Sequence, residues 1–236
     1  MTNSYVEWKG WGEGDFGTVT AEQALYYAAE LKLSGIRKLS GLRVGELGFG
    51  NGDFAGWVRY AGGQWVGREV ITILQQRARR AGFEVAGIDE GWETFGHESF
   101  DLIVAFDVLE HLDVPGIEQF LLEGKSALKP GGAIIFRVPS GDSPFSGAIF
   151  CGDLTHRTLL GSNAVCQIAK KIGFKIHQIR SPALPVFGLG TLRAARRLFI
   201  RSVQKIVFVF IRFVMMGNSS AVVSPNMVVV LHKEMV

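Results

Sequence analysis

Val44-Gly45-Glu46-Leu47-Gly48-Phe49-Gly50-Asn51-Gly52-Asp53-Phe54 is the stretch that decides the fold. An apolar run closes on an acid, Glu46. Glycines follow at alternate positions, Gly48, Gly50 and Gly52, and Phe54-Ala55-Gly56-Trp57-Val58 then opens a helical pattern. That order reads as a strand, a glycine turn and a helix start. A backbone without Cβ can turn sharply and lets a ligand lie directly against it. The spacing departs from the G-x-G-x-x-G of dinucleotide sites.

Working outward, Gln64-Trp65-Val66-Gly67 reads as a second strand that ends in Arg68-Glu69, with a helix through Gln75 to Ala81. In nucleoside-binding α/β folds an acid at the end of the second strand accepts hydrogen bonds from ribose hydroxyls, about 20 residues beyond the glycine loop. Glu69 stands in that place. A surface acid stabilised by a helix dipole is the alternative reading. Further strands are expected at Leu42–Leu47, Glu84–Ala86, Leu102–Phe106, Ala133–Val138, Phe174–Ser181 and Asn226–Lys233, and helices start near Asp53, Ile71, Val114 and Thr158. Such alternation implies a mostly parallel sheet covered on both faces. Ala21 to Leu33 has helical spacing and is expected to pack across the front.

Two more blocks carry a family resemblance: Ser99-Phe100-Asp101-Leu102-Ile103-Val104-Ala105-Phe106-Asp107-Val108-Leu109-Glu110-His111-Leu112, and Lys129-Pro130-Gly131-Gly132-Ala133-Ile134-Ile135-Phe136. With the acid before Gly-x-Gly-x-Gly they resemble, in the same order, class I methyltransferases that use S-adenosylmethionine. Leu109-Glu110-His111 is similar to the ubiquinone-type and polysaccharide-type small-molecule members. The resemblance implies a Rossmann-like α/β fold with a seven-stranded sheet ordered 3-2-1-4-5-7-6, its last strand antiparallel. One domain is expected over residues 1–236: an arm and helix (1–40), a cofactor-binding core (41–181), the last strand (226–236) and, departing from the short hairpin usual in the family, a basic amphipathic helical insertion (182–225). The resemblance further implies S-adenosylmethionine as cofactor, held by Glu46 and the loop of Gly48, Gly50 and Gly52, with Glu69 on the ribose and Asp107 on the same sheet edge. Asp89 would meet the adenine amine or, equally, be a solvated loop acid.

Gly152-Asp153-Leu154-Thr155-His156-Arg157 resembles an Asp-x-x-His stretch of polysaccharide-cluster methyltransferases. A near-neutral histidine suits proton abstraction from a hydroxyl, so His156 is the expected base, with Asp153 beside it and His111 as the rival. The bland reading makes Asp153 or Thr155 a helix cap and His156 a surface residue. The aromatic, glycine-rich segment Tyr5 to Gly17 has the composition of a closing lid, and Trp11 and Phe16 are its expected cofactor contacts. Packing of a terminal arm explains those rings as well. The leading expectation is an O-methyltransferase for a sugar hydroxyl of an envelope or lipid-linked glycan. Methylation of an isoprenoid quinone or other lipid, or a non-catalytic cofactor-binding scaffold of a glycan-assembly complex, are the alternatives.

Composition sets the bounds. The 236 residues, 47% hydrophobic, suffice for one α/β domain with a sizeable core. Cys151 and Cys166 form no ligand pattern, and no metal site is expected from them. The start of the chain lacks the basic and apolar segments of a secretory signal, so the expectation is a cytoplasmic protein, peripheral on the inner face of a membrane if its helix binds there. Residues 1–153 carry 13 basic and 21 acidic residues, a net −8, whereas residues 154–236 carry 12 basic residues and one acid, Glu234, a net +11. Such asymmetry points to an anionic partner for the second half. Leu192 to Met216 holds no Pro or Gly. Arg193, Arg197, Arg201 and Lys205 recur every four residues opposite Phe199, Ile206, Phe210 and Phe213. The apolar stretch between Lys205 and Arg212 is too short to span a bilayer, and the pattern suits a helix lying in an anionic membrane interface. Packing on its own domain or in a homodimer stays open. Nucleic acid is disfavoured, because no aromatic-lined strand accompanies the basic face.

Overall fold

The computed structural model describes residues 3–12, 16–87, 90–186, 188, 190–217 and 220–235. Along the chain run α1 (Asn3–Trp8), α2 (Ala21–Leu33), β1 (Arg43–Leu47), α3 (Asp53–Tyr60), β2 (Gln64–Arg68), α4 (Thr72–Arg80), β3 (Glu84–Val85), β4 (Phe100–Phe106), α5 (Val114–Ala127), β5 (Leu128–Pro139), α6 (Gly147–Phe150), α7 (Ser162–Ile172), β6 (Lys175–Arg180), α8 (Thr191–Met215) and β7 (Asn226–His232). One 3₁₀ turn, Leu109–His111, follows β4. The seven strands form one sheet in the order β3-β2-β1-β4-β5-β7-β6, as the resemblance implies. β7 runs antiparallel to both β5 and β6, and the other pairs are parallel.

Alternation along the central strands divides the core between two faces. Leu102 and Val104 join Val44, Ile135, Val228 and Val230 under Phe54, Trp57 and Leu74 of α3 and α4. Ile103 and Ala105 join Ile134, Phe136 and Val229 under Ile117, Phe120 and Val165 of α5 and α7. Each of the larger side chains contributes roughly 1.5–3 kcal/mol by leaving water. Helix starts follow local chemistry where caps are local. The Thr20 hydroxyl accepts from Gln23 N at 3.2 Å while the Gln23 side-chain oxygen accepts from Thr20 N at 2.8 Å, a reciprocal cap on α2.

Two element starts, those of β5 and α7, lie well away from expectation, and one helix is additional. β5 begins at Leu128 rather than Ala133, because the register shift between Phe100 and Leu102 absorbs the Gly131-Gly132 turn as an irregularity within the pairing. α7 begins at Ser162, not near Thr158: the Thr158 hydroxyl donates to Leu112 O at 2.6 Å, and Asp142 Oδ1 accepts from Ser162 N at 3.0 Å. The cap therefore comes from 20 residues upstream. α6 was not anticipated; the loop it belongs to is tied to the chain before β7 by Ser140 Oγ to Val222 O (2.8 Å) and Ser143 Oγ to Val223 O (2.6 Å).

The long helix α8 forms as the pattern requires, and its orientation is informative. Arg197 reaches the Pro185 carbonyl at 2.6 Å and pairs with Glu22, and Arg212 Nε donates to Ala221 O at 3.0 Å. Two basic side chains, Arg197 and Arg212, thus meet the body of the protein, whereas Arg193, Arg201 and Lys205 are exposed. Phe199, Ile206, Phe210 and Phe213 on the opposite side are 70, 71, 62 and 74% exposed. No helix among the described residues is long and apolar enough to cross a membrane.

Candidate active site

The site is built at the carboxyl ends of β1, β2 and β4, where open parallel sheets bind ligands. Gly48, Gly50 and Gly52 all adopt positive φ, at +67°, +52° and +77°, which only glycine takes without strain. A Cβ on Gly48 would fall 2.5 Å from Val108 Cγ2, so the turn also lies too close to the β4 loop for any larger residue. Gly48 N donates to Arg68 O at 2.7 Å, which draws the turn against the end of β2.

Glu69 closes this turn from the other side. Its Oε2 accepts from Gly50 N at 3.1 Å, and Oε1 accepts from Val70 N at 2.7 Å and Ile71 N at 3.1 Å. Burial raises its pKa, and the three amide bonds work against that rise. Glu46 is buried beneath the turn, where the Trp65 indole N–H donates to its Oε2 at 2.7 Å. Desolvation pushes Glu46 well above the usual carboxylate range. Asp107 follows β4 with φ +57°, a conformation rare outside glycine, and its carboxylate is clasped by Arg137 of β5. Arg137 Nη1 also donates to Tyr26 OH at 2.8 Å.

Two cavities, of about 200 Å³ and about 220 Å³, flank these groups and share Tyr5, Trp11, Gly48 and Asp107 in their walls. Glu69, Val108 and His111 line the first; Glu46, Gly50, Asp53 and Arg137 line the second. The arm forms the partition. The Trp11 ring covers Gly50, with a Cβ there falling 3.0 Å from it, and Arg77 Nη1 holds the Trp11 carbonyl at 2.9 Å.

Beyond the first cavity lies a polar cluster. Thr155 Oγ1 is 2.6 Å from Asp153 Oδ1 and 2.8 Å from His111 Nδ1. Although burial opposes it, the Thr155 hydroxyl and amide and the two histidines hold Asp153 below the ordinary carboxylate pKa. Asp153 is therefore ionised and accepts a hydrogen bond from the Thr155 hydroxyl, so His111 Nδ1 donates to Thr155 and its Nε2 carries the lone pair. Burial and the neighbouring His156 lower the His111 pKa. The His111 and His156 rings meet edge to face at 4.6 Å. His156 Nδ1 donates to the Phe150 carbonyl at 2.9 Å, which leaves its Nε2 as an acceptor too, 3.9 Å from Glu110 Oε1. Burial and the charge of Asp107 push Glu110 up to about 8.

The expected residues fall into two groups. Glu46, Gly48, Gly50, Glu69, Asp107, Trp11 and His111 line the cavities. Gly52 and Phe16 pack on each other instead: a Cβ on Gly52 would lie 2.4 Å from the Phe16 ring, which rests on Phe49 and Phe83. Asp153 and His156 stand behind His111 and line neither cavity, and Asp89 lies outside the described residues. Sequence reasoning missed Arg137 and Tyr5. Arg137 had a signal, being a charge inside an otherwise apolar strand, whereas Tyr5 had only its place in the aromatic arm.

A family model described as a methyltransferase domain matches residues 21–179. Among solved structures, a SAM-dependent methyltransferase from Archaeoglobus fulgidus is similar at TM-score 0.62 and 18% identity, over 89% of this chain and 94% of that one. An S-adenosylmethionine-dependent methyltransferase from Mesorhizobium loti is similar at TM-score 0.56 and 18% identity, over 88% and 99%. A phosphoethanolamine N-methyltransferase of Haemonchus contortus, in complex with S-adenosyl-L-methionine, is similar at 0.55 and 19%, over 88% of this chain and 52% of that one. At these identities the likeness is one of fold. No curated protein matches the sequence.

Proposed function

The chain belongs to the methyltransferase-domain family and uses S-adenosylmethionine, and from that premise we propose that it methylates a sugar hydroxyl of an envelope or lipid-linked glycan at an anionic membrane surface. The observation that carries this reading is the uncovered apolar face of α8, backed by basic residues on a helix that holds no acid. A face of this kind seats a protein in the headgroup region, where a lipid-tethered acceptor is held.

In this reading the cofactor spans the two cavities, with its ribose on Glu69 and its methionine end by Glu46 and against the backbone of Gly48 and Gly50. Trp11 closes over the turn and excludes water from the sulfonium. Methyl transfer is an in-line displacement, so most of the protein's work is positioning. The acceptor hydroxyl loses its proton at the His111 cluster, its oxygen bonds to the methyl carbon, and the carbon–sulfur bond breaks to leave a neutral thioether. His111 takes the cavity-facing place that the sequence offered to His156, with Thr155 and Asp153 fixing its tautomer.

The test is incubation of the protein with methyl-labelled S-adenosylmethionine and a membrane extract, followed by separation of the lipid-linked saccharides from the quinones. Label in the saccharide fraction is expected. Label confined to quinones would replace the acceptor class, and cofactor binding with no transfer would leave a scaffold.

A further inference from the structure

We infer that Glu110, His111 and His156 form a site for a divalent first-row metal ion whose open position faces the acceptor. One ligand atom from each of these residues lies within 4.8 Å of the other two. The hydrogen bonds around them decide what those atoms can do. His111 Nδ1 donates to Thr155, whose own hydroxyl donates to Asp153, and His156 Nδ1 donates to the Phe150 carbonyl. Both rings are thereby fixed with Nε2 as a bare acceptor. The Glu110 side chain is only 2% exposed, its Oε2 has no hydrogen-bond partner, and its Oε1 stands 3.9 Å from His156 Nε2.

Three candidate ligand atoms therefore converge in a largely buried space, where Glu110 Oε2 has no hydrogen-bond partner. A cation at the centre, taking the place of any proton on the carboxyl, satisfies all three. The outer bonds to Thr155 and Phe150 are the carbonyl and hydroxyl partners that orient metal-binding imidazoles. Two imidazoles and one carboxylate suit zinc, iron, cobalt or nickel better than magnesium or calcium, and three protein ligands leave a position for water or substrate. Donor atoms on a tetrahedral zinc at about 2.0–2.1 Å lie roughly 3.4 Å apart, so the triad closes by small rotamer adjustments on binding.

The inference rests on the proposed acceptor site and deepens it: His111 lines the first cavity, and with its Nε2 on the metal the acceptor's proton leaves by way of the ion instead of passing directly to His111. A hydroxyl ligated in the open position has its pKa lowered, releases its proton to water, and attacks the methyl carbon as the carbon–sulfur bond breaks. The metal is thus the acid that activates the acceptor, and His111 and His156 hold it.

Chelator-treated protein titrated with Co²⁺ should bind one equivalent, with visible d–d absorption that Zn²⁺ displaces. X-ray absorption of the zinc form should show two imidazole nitrogens at about 2.0–2.1 Å. His156→Ala should weaken Co²⁺ binding more than about 100-fold, and Thr155→Val, which removes only an orienting bond, about 10–100-fold. Melting curves check that each variant folds, and the absorption measurement on unaltered protein needs no variant. No stoichiometric Co²⁺ or Zn²⁺ binding by the unaltered protein would overturn the inference, as would an imidazole-free zinc spectrum. Metal binding without glycan methylation would defeat the proposed acceptor and leave the site standing; glycan methylation by metal-free protein would do the reverse.

Discussion

Replacing Glu69 tests how the cofactor's ribose is held. A carboxylate offers about four lone-pair positions. Three are occupied in this structure, two on Oε1 by Val70 N and Ile71 N and one on Oε2 by Gly50 N. One position on Oε2 remains for a ribose hydroxyl. A hydrogen bond to an ionised carboxylate contributes roughly 1.5–3 kcal/mol, so Glu69→Ala should weaken S-adenosylmethionine binding about 10- to 150-fold. Glu69→Gln should not restore it. With its oxygen kept on Val70 and Ile71, the amide nitrogen turns donor against donor toward Gly50 N–H, at the place where the ribose hydroxyl is also bound. The pH dependence has a definite sign. Burial holds the Glu69 pKa above its ordinary value, so acidification protonates it early and wild-type affinity should fall toward mildly acid pH. Neither variant should show that fall. Isothermal titration calorimetry over a pH series measures both effects, with circular dichroism confirming the fold. A Gln variant that binds as tightly as wild type would refute the reasoning and leave Glu69 as a brace for the loop alone.

Gly52→Ala should lower stability by roughly 1–3 kcal/mol in chemical denaturation, since a Cβ at φ +77° is strained and also meets the Phe16 ring. Glu46→Gln should raise the melting temperature at neutral pH. The folded pKa of Glu46 lies above its unfolded value, so its stabilising protonation is complete below the unfolded pKa and is lost as pH rises through the folded one. The amide removes that slope while its oxygen still accepts from Trp65, and a variant melting lower than wild type at pH 7 would contradict this. Replacing Phe199, Ile206 and Phe210 together by Ser should leave stability within about 0.5 kcal/mol, because those side chains are mostly exposed, yet reduce flotation with anionic vesicles at least about 10³-fold. Unfolding of that variant, or unchanged flotation, would show that the face has another use.

The sheet was legible because its signals are local. The glycine turn, the acids at strand ends and the period-2 apolar runs each report on a few neighbouring residues. Where the sequence reading fell short, the deciding partner is remote. Thr158 has the residue type of a helix cap but serves Leu112, and the α7 cap is Asp142. Phe16 and Gly52 both looked like ligand contacts, yet the missing Cβ makes room for the ring. Arg137 and Asp107 are 30 residues apart and Arg137 and Tyr26 are 111 apart, so neither pairing leaves a local trace. For α8 the periodicity defined two faces but not which side would touch the protein, and that contact is made by Arg197 and Arg212 through partners remote in sequence or beyond the helix. The motif points to His156 as base, whereas the cavity wall belongs to His111.

The measurement that bears most directly on a glycan methyltransferase working at a membrane is the rate of transfer to one saccharide presented in two ways. The saccharide is supplied free in solution, or lipid-linked in vesicles with and without anionic lipid, each with methyl-labelled S-adenosylmethionine. Fast labelling of the lipid-linked form is expected, increasing with anionic lipid and falling with salt as screening weakens the pull on α8. Equal rates on the free and tethered saccharide, indifferent to lipid charge, would contradict the account.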